Sequence, residues 1–181
     1  MVWDARAHEA HRLTPATLSK KLDTVRRVGG TVLYLHERDL DDHTVADVFG
    51  NPALQPLPKV TFLQLQSSPR LTSAALSVIS AVAQTILPCL EEINVSYTAV
   101  EDLAPLAAIS SLRSIDAIVE QPRGVAALAA LPRLKTVTLS TAVTAADLEV
   151  LKRKKGCRVG LLKYTAMPPR FSPSLYFCDL P

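Results

Sequence analysis

A chain of 181 residues that is 48% hydrophobic and 20% charged has the length and composition of one folded unit with a substantial core, which excludes a disordered polymer. Its net charge of +3 is too small to argue for nucleic acid. No run approaches the roughly 20 apolar residues of a membrane span, and the opening MVWDARAHEAHRL lacks the apolar core of a secretory signal.

Residues 1–13 follow no period and read as an irregular N-terminus, with Trp3 its one large apolar group. A capping helix is expected over 14–29. Thr14 offers an N-cap hydroxyl, Pro15 suits the first helical position, and Leu18, Leu22, Val25 and Val28 form one face. Arg26 and Arg27 fall in its last turn, where the helix dipole favours cations, and Gly29-Gly30 ends it. A strand at Val32–Leu35 leads to a helix capped by Asp41 or Asp42 and carrying Val45, Val48 and Phe49. The proline-containing stretch 50–59 returns the chain to a second strand, VTFLQL, from Val60. Its helix runs from about Thr72 to Ile86 with Leu76, Ile79 and Val82 inward, and Pro88 marks the return as Pro58 and Pro132 do.

From Leu90 the units shorten. LEEINVSYTAVEDLAPLAAISS opens with the alternation of a strand at Leu90, Ile93 and Val95. Val100, Leu103, Leu106 and Ile109 then step by three, as a 3₁₀ return does. Leu112–Arg133 repeats the pattern with Leu112, Ile115, Ala117, Val125, Leu128 and Leu131. In Leu134–Lys155 the strand phase holds at Leu134, Val137 and Leu139, while Val143, Leu148 and Leu151 slip by one residue and Thr144 with Asp147 resembles a capping box. A partial unit from Gly156 has Val159 and Leu161 in strand phase. Unit starts at 30, 60, 90, 112, 134 and 156 are thus spaced by 30, 30, 22, 22 and 22 residues. One strand and one return cannot bury both inner faces alone, so the units must stack.

The recurring L-x-x-L-x-L with this period resembles a leucine-rich-repeat protein, of the 22-residue class in the C-terminal half and with longer ribonuclease-inhibitor-like repeats in the N-terminal half. The resemblance covers about Gly30 to Lys163. It implies an α/β solenoid of about six coils, with parallel strands on the concave face and helical or 3₁₀ returns on the convex face. Repeat position 9 in such proteins usually holds Asn or Cys bonding to neighbouring backbone. Here it holds Arg38, Ser68, Thr98, Glu120 and Ala142, of which Ser68 and Thr98 could supply part of that ladder. The expected organisation is an irregular 1–13, a repeat domain 14–163 that includes the capping helix, and a tail 164–181. In the tail Pro168, Pro169 and Pro173 exclude a regular helix beside the apolar Phe171, Leu175, Tyr176 and Phe177. The tail is expected to cover the apolar C-terminal end or to dock, through Phe171, Tyr176 and Phe177, into another subunit.

No residue pattern points to catalysis. His8 and His11 are three apart, whereas helical zinc ligation needs four. Asp39, Asp41, Asp42 and His43 lack the spacing and glycine of a calcium loop, and helix capping explains the acids. Phosphate-cradling glycine loops and nucleophile motifs are absent. The expectation is a non-enzyme with no cofactor, no metal, no small-molecule substrate and no membrane. Cys89, Cys157 and Cys178 are odd in number, far apart and outside any CxxC pattern, so they read as reduced thiols of a cytoplasmic protein. A basic run, Lys152, Arg153, Lys154, Lys155 and Arg158, could contact phosphates, but its place at a helix end reads first as a solvated turn.

The alternation that buries repeat positions 1, 4 and 6 also points positions 2, 3, 5, 7 and 8 outward from the strands. The resulting candidate partner-binding residues are Tyr34, Phe62, Gln64, Glu92, Asn94, Tyr97, Asp116, Ile118 and Val119. Aromatics beside uncharged polar groups are the composition of interface hot spots. The expected function is a protein–protein interaction module, a structural subunit or adaptor of a larger intracellular assembly such as a cytoskeletal one. The alternatives are a ribonucleoprotein component acting through the basic run and, as the resemblance implies, a regulatory subunit of an enzyme such as a phosphatase.

Overall fold

The computed structural model describes residues 14–35 and 40–165. The elements in chain order are helix α1 (Pro15–Val28), strand β1 (Val32–Tyr34), α2 (Asp42–Phe49), β2 (Phe62–Gln64), α3 (Ser73–Ile86) and β3 (Glu92–Asn94). A 3₁₀ segment (Ala104–Ala108), β4 (Ser114–Ala117), a second 3₁₀ segment (Val125–Ala130), β5 (Thr136–Ser140), α4 (Ala145–Lys152) and β6 (Arg158–Leu162) complete the order. The six strands form one sheet in sequence order, every neighbouring pair parallel. Val32, Phe62, Glu92, Ser114, Thr136 and Arg158 stand in one row of Cα partners. The row reproduces the spacing of the unit starts, so each coil is one unit.

The shape of each return follows from its apolar step. In the third coil, the N–H groups of Leu106, Ile109 and Leu112 donate to the carbonyls of Leu103, Leu106 and Ile109 at 3.0, 3.0 and 3.1 Å. Each apolar residue therefore bonds to the previous one, and the three-residue repeat places all of them on the buried side of a 3₁₀ turn. The longer first two units have room for α-helical returns. The fifth unit also turns α-helical, and there the slipped phase leaves Leu151 fully buried while Val143 and Leu148 are half-buried. Four-residue turns close the coils: Val60 N–H to Leu57, Leu90 to Leu87 and Leu112 to Ile109, at 3.0 to 3.1 Å. Pro58 and Pro88 occupy the second turn position, where a fixed φ is favourable.

Helix α1 caps the first coil. Thr14 and Thr17 form a reciprocal capping box, and Gly29 (φ 70°) ends the helix as Gly29 and Gly30 donate to Arg26 and Val25. This is a Schellman arrangement, which only a residue tolerant of the left-handed region closes cheaply. Leu18 and Leu22 are fully buried and Val25 packs partly against the core, but Val28 is 70% exposed. The expected fourth member of that face is thus displaced: each step of three residues falls back about 60° around a helix, and the last one leaves the apolar stripe. At the other end no cap covers β6 among the described residues, and Leu161 and Leu162 are 42% and 52% exposed.

The position-9 ladder is partial. Ser68 Oγ donates to Leu35 of the coil before it at 3.4 Å, whereas Thr98 Oγ1 donates within its own coil to Val95 at 2.6 Å. Glu120 and Ala142 are exposed, and Arg38 lies outside the described residues. A second set of polar groups, at the helix starts, ties coil to coil instead. Asp42 accepts from the Thr72 N–H and hydroxyl at 2.8 and 2.6 Å. Ser73 Oγ accepts from the N–H groups of Glu101 and Asp102 at 3.1 and 2.8 Å, and Asp147 accepts from Ala126 N–H at 3.2 Å. Such residues satisfy the orphan amide groups where the loop leaves the sheet.

Asp41, not Asp42, is the N-cap of α2. The Thr44 N–H at 2.9 Å holds its carboxyl below the ordinary value; partial burial opposes this, while the Thr44 side chain, Arg70 and His43 reinforce it. A depressed folded pKa stabilises above the unfolded value and is lost as pH falls through the folded one. Asp41→Ala is therefore expected to cost about 1 kcal/mol at pH 7. The gap to the parent chain should shrink below about pH 4, as urea titrations at pH 7 and pH 3 would read.

Candidate interaction surface

Two columns of outward side chains cross the sheet. Val32, Phe62, Glu92, Ser114, Thr136 and Arg158 form one, and Tyr34, Gln64, Asn94, Asp116 and Thr138 form the other. Neighbours within a column lie about 4.8 Å apart. Tyr34 is 51% exposed, and Glu92 is also exposed; Phe62, Gln64, Asn94, Asp116, Tyr97 and Ile118 are half-buried. Eight of the nine candidate residues thus reach the strand side or its rim. Val119 does not: it is fully buried. Strand β4 ends at Ala117, so the alternation that would turn Val119 outward has stopped two residues earlier, and the chain has begun its descent into the core.

Hydrogen bonds fix the polar part of this surface. Asn94 Nδ2 donates to Gln66 Oε1 at 3.0 Å while its Oδ1 accepts from Ser96 N–H at 2.9 Å, which shapes the turn after β3. Thr136 Oγ1 lies 3.2 Å from Ser114 Oγ. Gln64 Oε1 is buried without a hydrogen-bond partner among the described residues. Glu91 pairs with Arg113 at 3.2 Å, but Glu92 and Asp116 belong to no ion pair among the described residues.

Tyr97 sits at the rim with φ 59°, as does Ser67 at the equivalent place one coil earlier with φ 62°. The left-handed region costs a non-glycine residue about 1–2 kcal/mol. Tyr97 is held there by its N–H bond to Ile118 at 3.0 Å. Its ring lies 6.0 Å from that of Tyr164, tilted by 31°. Sequence reasoning found Tyr97 by its position but gave no sign of this partner, because the two lie in different coils.

The remaining candidates disperse. Lys154 Nζ donates to the Ala129 carbonyl at 3.0 Å and Lys152 pairs with Glu149 at 3.3 Å. Arg158 stands on β6, apart from the end of α4 that carries the others. His43 lies 3.4 Å from Asp47, Asp41 and Asp42 are engaged as described, and no group of three or more metal-ligating side chains exists among the described residues. His8, His11, Asp39, Phe171, Tyr176 and Phe177 lie outside those residues. A cavity of about 80 Å³ between α1 and the Leu57–Val60 turn falls below the several hundred Å³ of a ligand pocket. No helix among the described residues is long and apolar enough to cross a membrane.

The two described cysteines differ in reactivity. Cys89 is exposed, whereas burial pushes the Cys157 thiol up, with Lys154 opposing. Since the thiolate is the nucleophile, a maleimide at pH 7 is expected to modify Cys89 before Cys157, as timed mass spectra of intact protein would show.

No protein-family model matches the chain, and no curated protein is significantly similar to it. Among solved structures it is similar to an internalin C2 from Listeria monocytogenes, at 17% identity over 83% of this chain and 84% of that one, with a TM-score of 0.41. The six parallel strands in sequence order, their register at two fixed spacings and their alternation with helical and 3₁₀ returns give the chain the fold of a leucine-rich-repeat-like solenoid.

Proposed function

We propose that the protein is a non-enzymatic protein-interaction module, a structural subunit or adaptor of a larger intracellular assembly, whose concave sheet face docks a protein partner. The observation that carries this reading is the exposed and half-exposed Tyr34, Phe62 and Tyr97 spread over three coils beside Gln64, Asn94 and Ile118. Aromatics presented on a rigid scaffold supply large contact area at small entropic cost. Glu92 and Asp116 add a preference for a partner with a cation. The solenoid fold alone would not single out this role, since folds host many functions. The ribonucleoprotein reading draws less support, because Lys152 and Lys154 are engaged within the fold.

Sedimentation of the endogenous protein at low and raised salt, with and without ribonuclease, tests the proposal. A large particle surviving both treatments is expected. Tyr34→Ser and Tyr97→Asn should release the protein from that particle while the chain stays folded, as circular dichroism of the purified variants would show. Collapse on ribonuclease, or steep loss with salt, would replace this reading by phosphate binding. Sedimentation as a free monomer throughout would end the stable-subunit reading.

A further inference from the structure

We propose that the free edge of β6 takes up an acidic, extended segment of a partner protein as a seventh strand of the sheet. The proposal does not depend on the concave face being a docking surface.

Three observations lead to it. The first is the backbone. In the inner coils the N–H groups of Leu35, Leu65 and Val95 donate at 2.8 Å to Gln64, Asn94 and Asp116 of the following coil. Two places further along, those of Ser67, Tyr97 and Thr141 donate at 3.0 Å to Ser96, Ile118 and Leu162. Leu161 and Lys163 hold these two places in the last coil, where β5 lies on one side of β6 and no strand of the described residues on the other. Their N–H groups therefore face out of the sheet, in line for a further strand. Strand β6 pairs with β5 over five residues, a longer template than β1, β2 or β3, each of three. Tyr164, whose ring lies against that of Tyr97, takes the described chain back toward the third coil and away from this edge.

The second is the core. In each earlier coil the two inward strand residues, from Leu33 and Leu35 to Val137 and Leu139, are at most 2% exposed. Their counterparts Val159 and Leu161 are half-buried and 42% exposed, because no next coil lies over them among the described residues. An added strand of alternating apolar residues would extend the same row.

The third is charge. Residues 150–165 carry six cations and no acid. Lys152 and Lys154 are engaged as described. Arg153, Lys155, Arg158 and Lys163 are exposed and belong to no ion pair among the described residues. Cations along an edge repel a like strand and attract an acidic one. A second copy would set the same four cations against these four. Nucleic acid would meet the cations but leave the apolar Leu161 and Leu162 uncovered. The chain's own residues 166–181 hold one arginine and one aspartate, so charge gives them no preference for the site.

Fluorescence anisotropy of a labelled peptide of alternating glutamate and valine, titrated with the full chain at about 0.15 M salt, tests the proposal. Saturable binding is expected. The same peptide N-methylated at every residue keeps its charges but donates no ladder bond, and should bind about tenfold more weakly. In the protein, Leu161→Pro removes an N–H that faces the open edge rather than β5. It should cost a similar factor, with circular dichroism showing the fold retained. Arg158→Glu with Lys163→Glu leaves the edge backbone intact; it should abolish binding of this peptide and confer binding of a lysine–valine one. No binding to the full chain, equal affinity for the N-methylated peptide, or indifference to the charge reversal would each overturn the proposal. Tighter binding of oligouridine would replace it by phosphate binding, and dimerisation lost in Leu161→Pro would replace it by a second copy. None of these outcomes involves Tyr34 or Tyr97, so the edge and the concave face fail separately.

Discussion

Gly124→Ala is expected to lower the unfolding free energy by about 3 kcal/mol, whereas Gly156→Ala should cost only about 1 kcal/mol. Both glycines lie in the left-handed region, at φ 66° and 77°, so both variants carry the strain of a side chain there. They differ in what the new methyl group meets. At Gly124 it would overlap Asp102 Oδ1 and come within 2.9 Å of the Ala104 backbone nitrogen, while at Gly156 nothing lies within 4 Å. Asp102 Oδ1 already accepts the Ala104 N–H at 2.9 Å, so the carboxylate cannot swing away without orphaning that amide. The backbone nitrogen begins the 3₁₀ return of the third coil and moves only if that coil moves. The gap between the two variants therefore isolates the packing cost of one coil against the next. Urea midpoints with unchanged m-values would measure it; equal losses would show that the coils yield without resistance.

The coil spacing was legible because burial imposes it. Leu90, Ile93 and Val95 are at or below 1% exposure, and so are Leu112, Ile115 and Ala117 one unit later; a slip of one residue would have turned each set outward. The three-residue step that anticipated the 3₁₀ returns was legible for the same reason. Outward residues carry no such constraint, and the reading fails where it extends a strand's alternation past the strand's end. Val119 is the instance: it lies two residues beyond β4 and turns inward. Val28 errs the opposite way, as the last residue of a helix whose apolar stripe has drifted. The links from Asp42 to Thr72 and from Ser73 to Asp102 were not legible, because each joins residues about 30 apart. A recurring Asp, Ser or Thr ahead of each helix was their one local signal, and capping accounted for it without reference to the next coil. Of the surface, the columns of Tyr34 and Phe62 followed from register, but the Tyr97–Tyr164 contact needs the path of the chain after the last strand.

Phe49→Ala is expected to cost about 4 kcal/mol and to loosen the N-terminal coils without loosening the C-terminal ones. Phe49 ends α2, is 1% exposed and is the bulkiest of the fully buried side chains described. Helix α2 packs against α1 on one side and α3 on the other. Deleting the ring leaves a cavity in the layer that joins the capping helix to the first coil, and short α2 has little else with which to close it. In a solenoid each coil is stabilised by its immediate neighbours, so the loss should not spread evenly. Amide exchange is expected to accelerate in α1, β1 and β2 while β4 and β5 keep their protection. This bears on function, because β1 and β2 carry Tyr34 and Phe62 whereas Tyr97 follows β3. The variant should therefore lose contacts that depend on the first two coils and retain the Tyr97–Tyr164 pair. Equal acceleration in β4 and β5 would mean that the solenoid unfolds as a single cooperative unit, and the aromatic surface would then stand or fall as one.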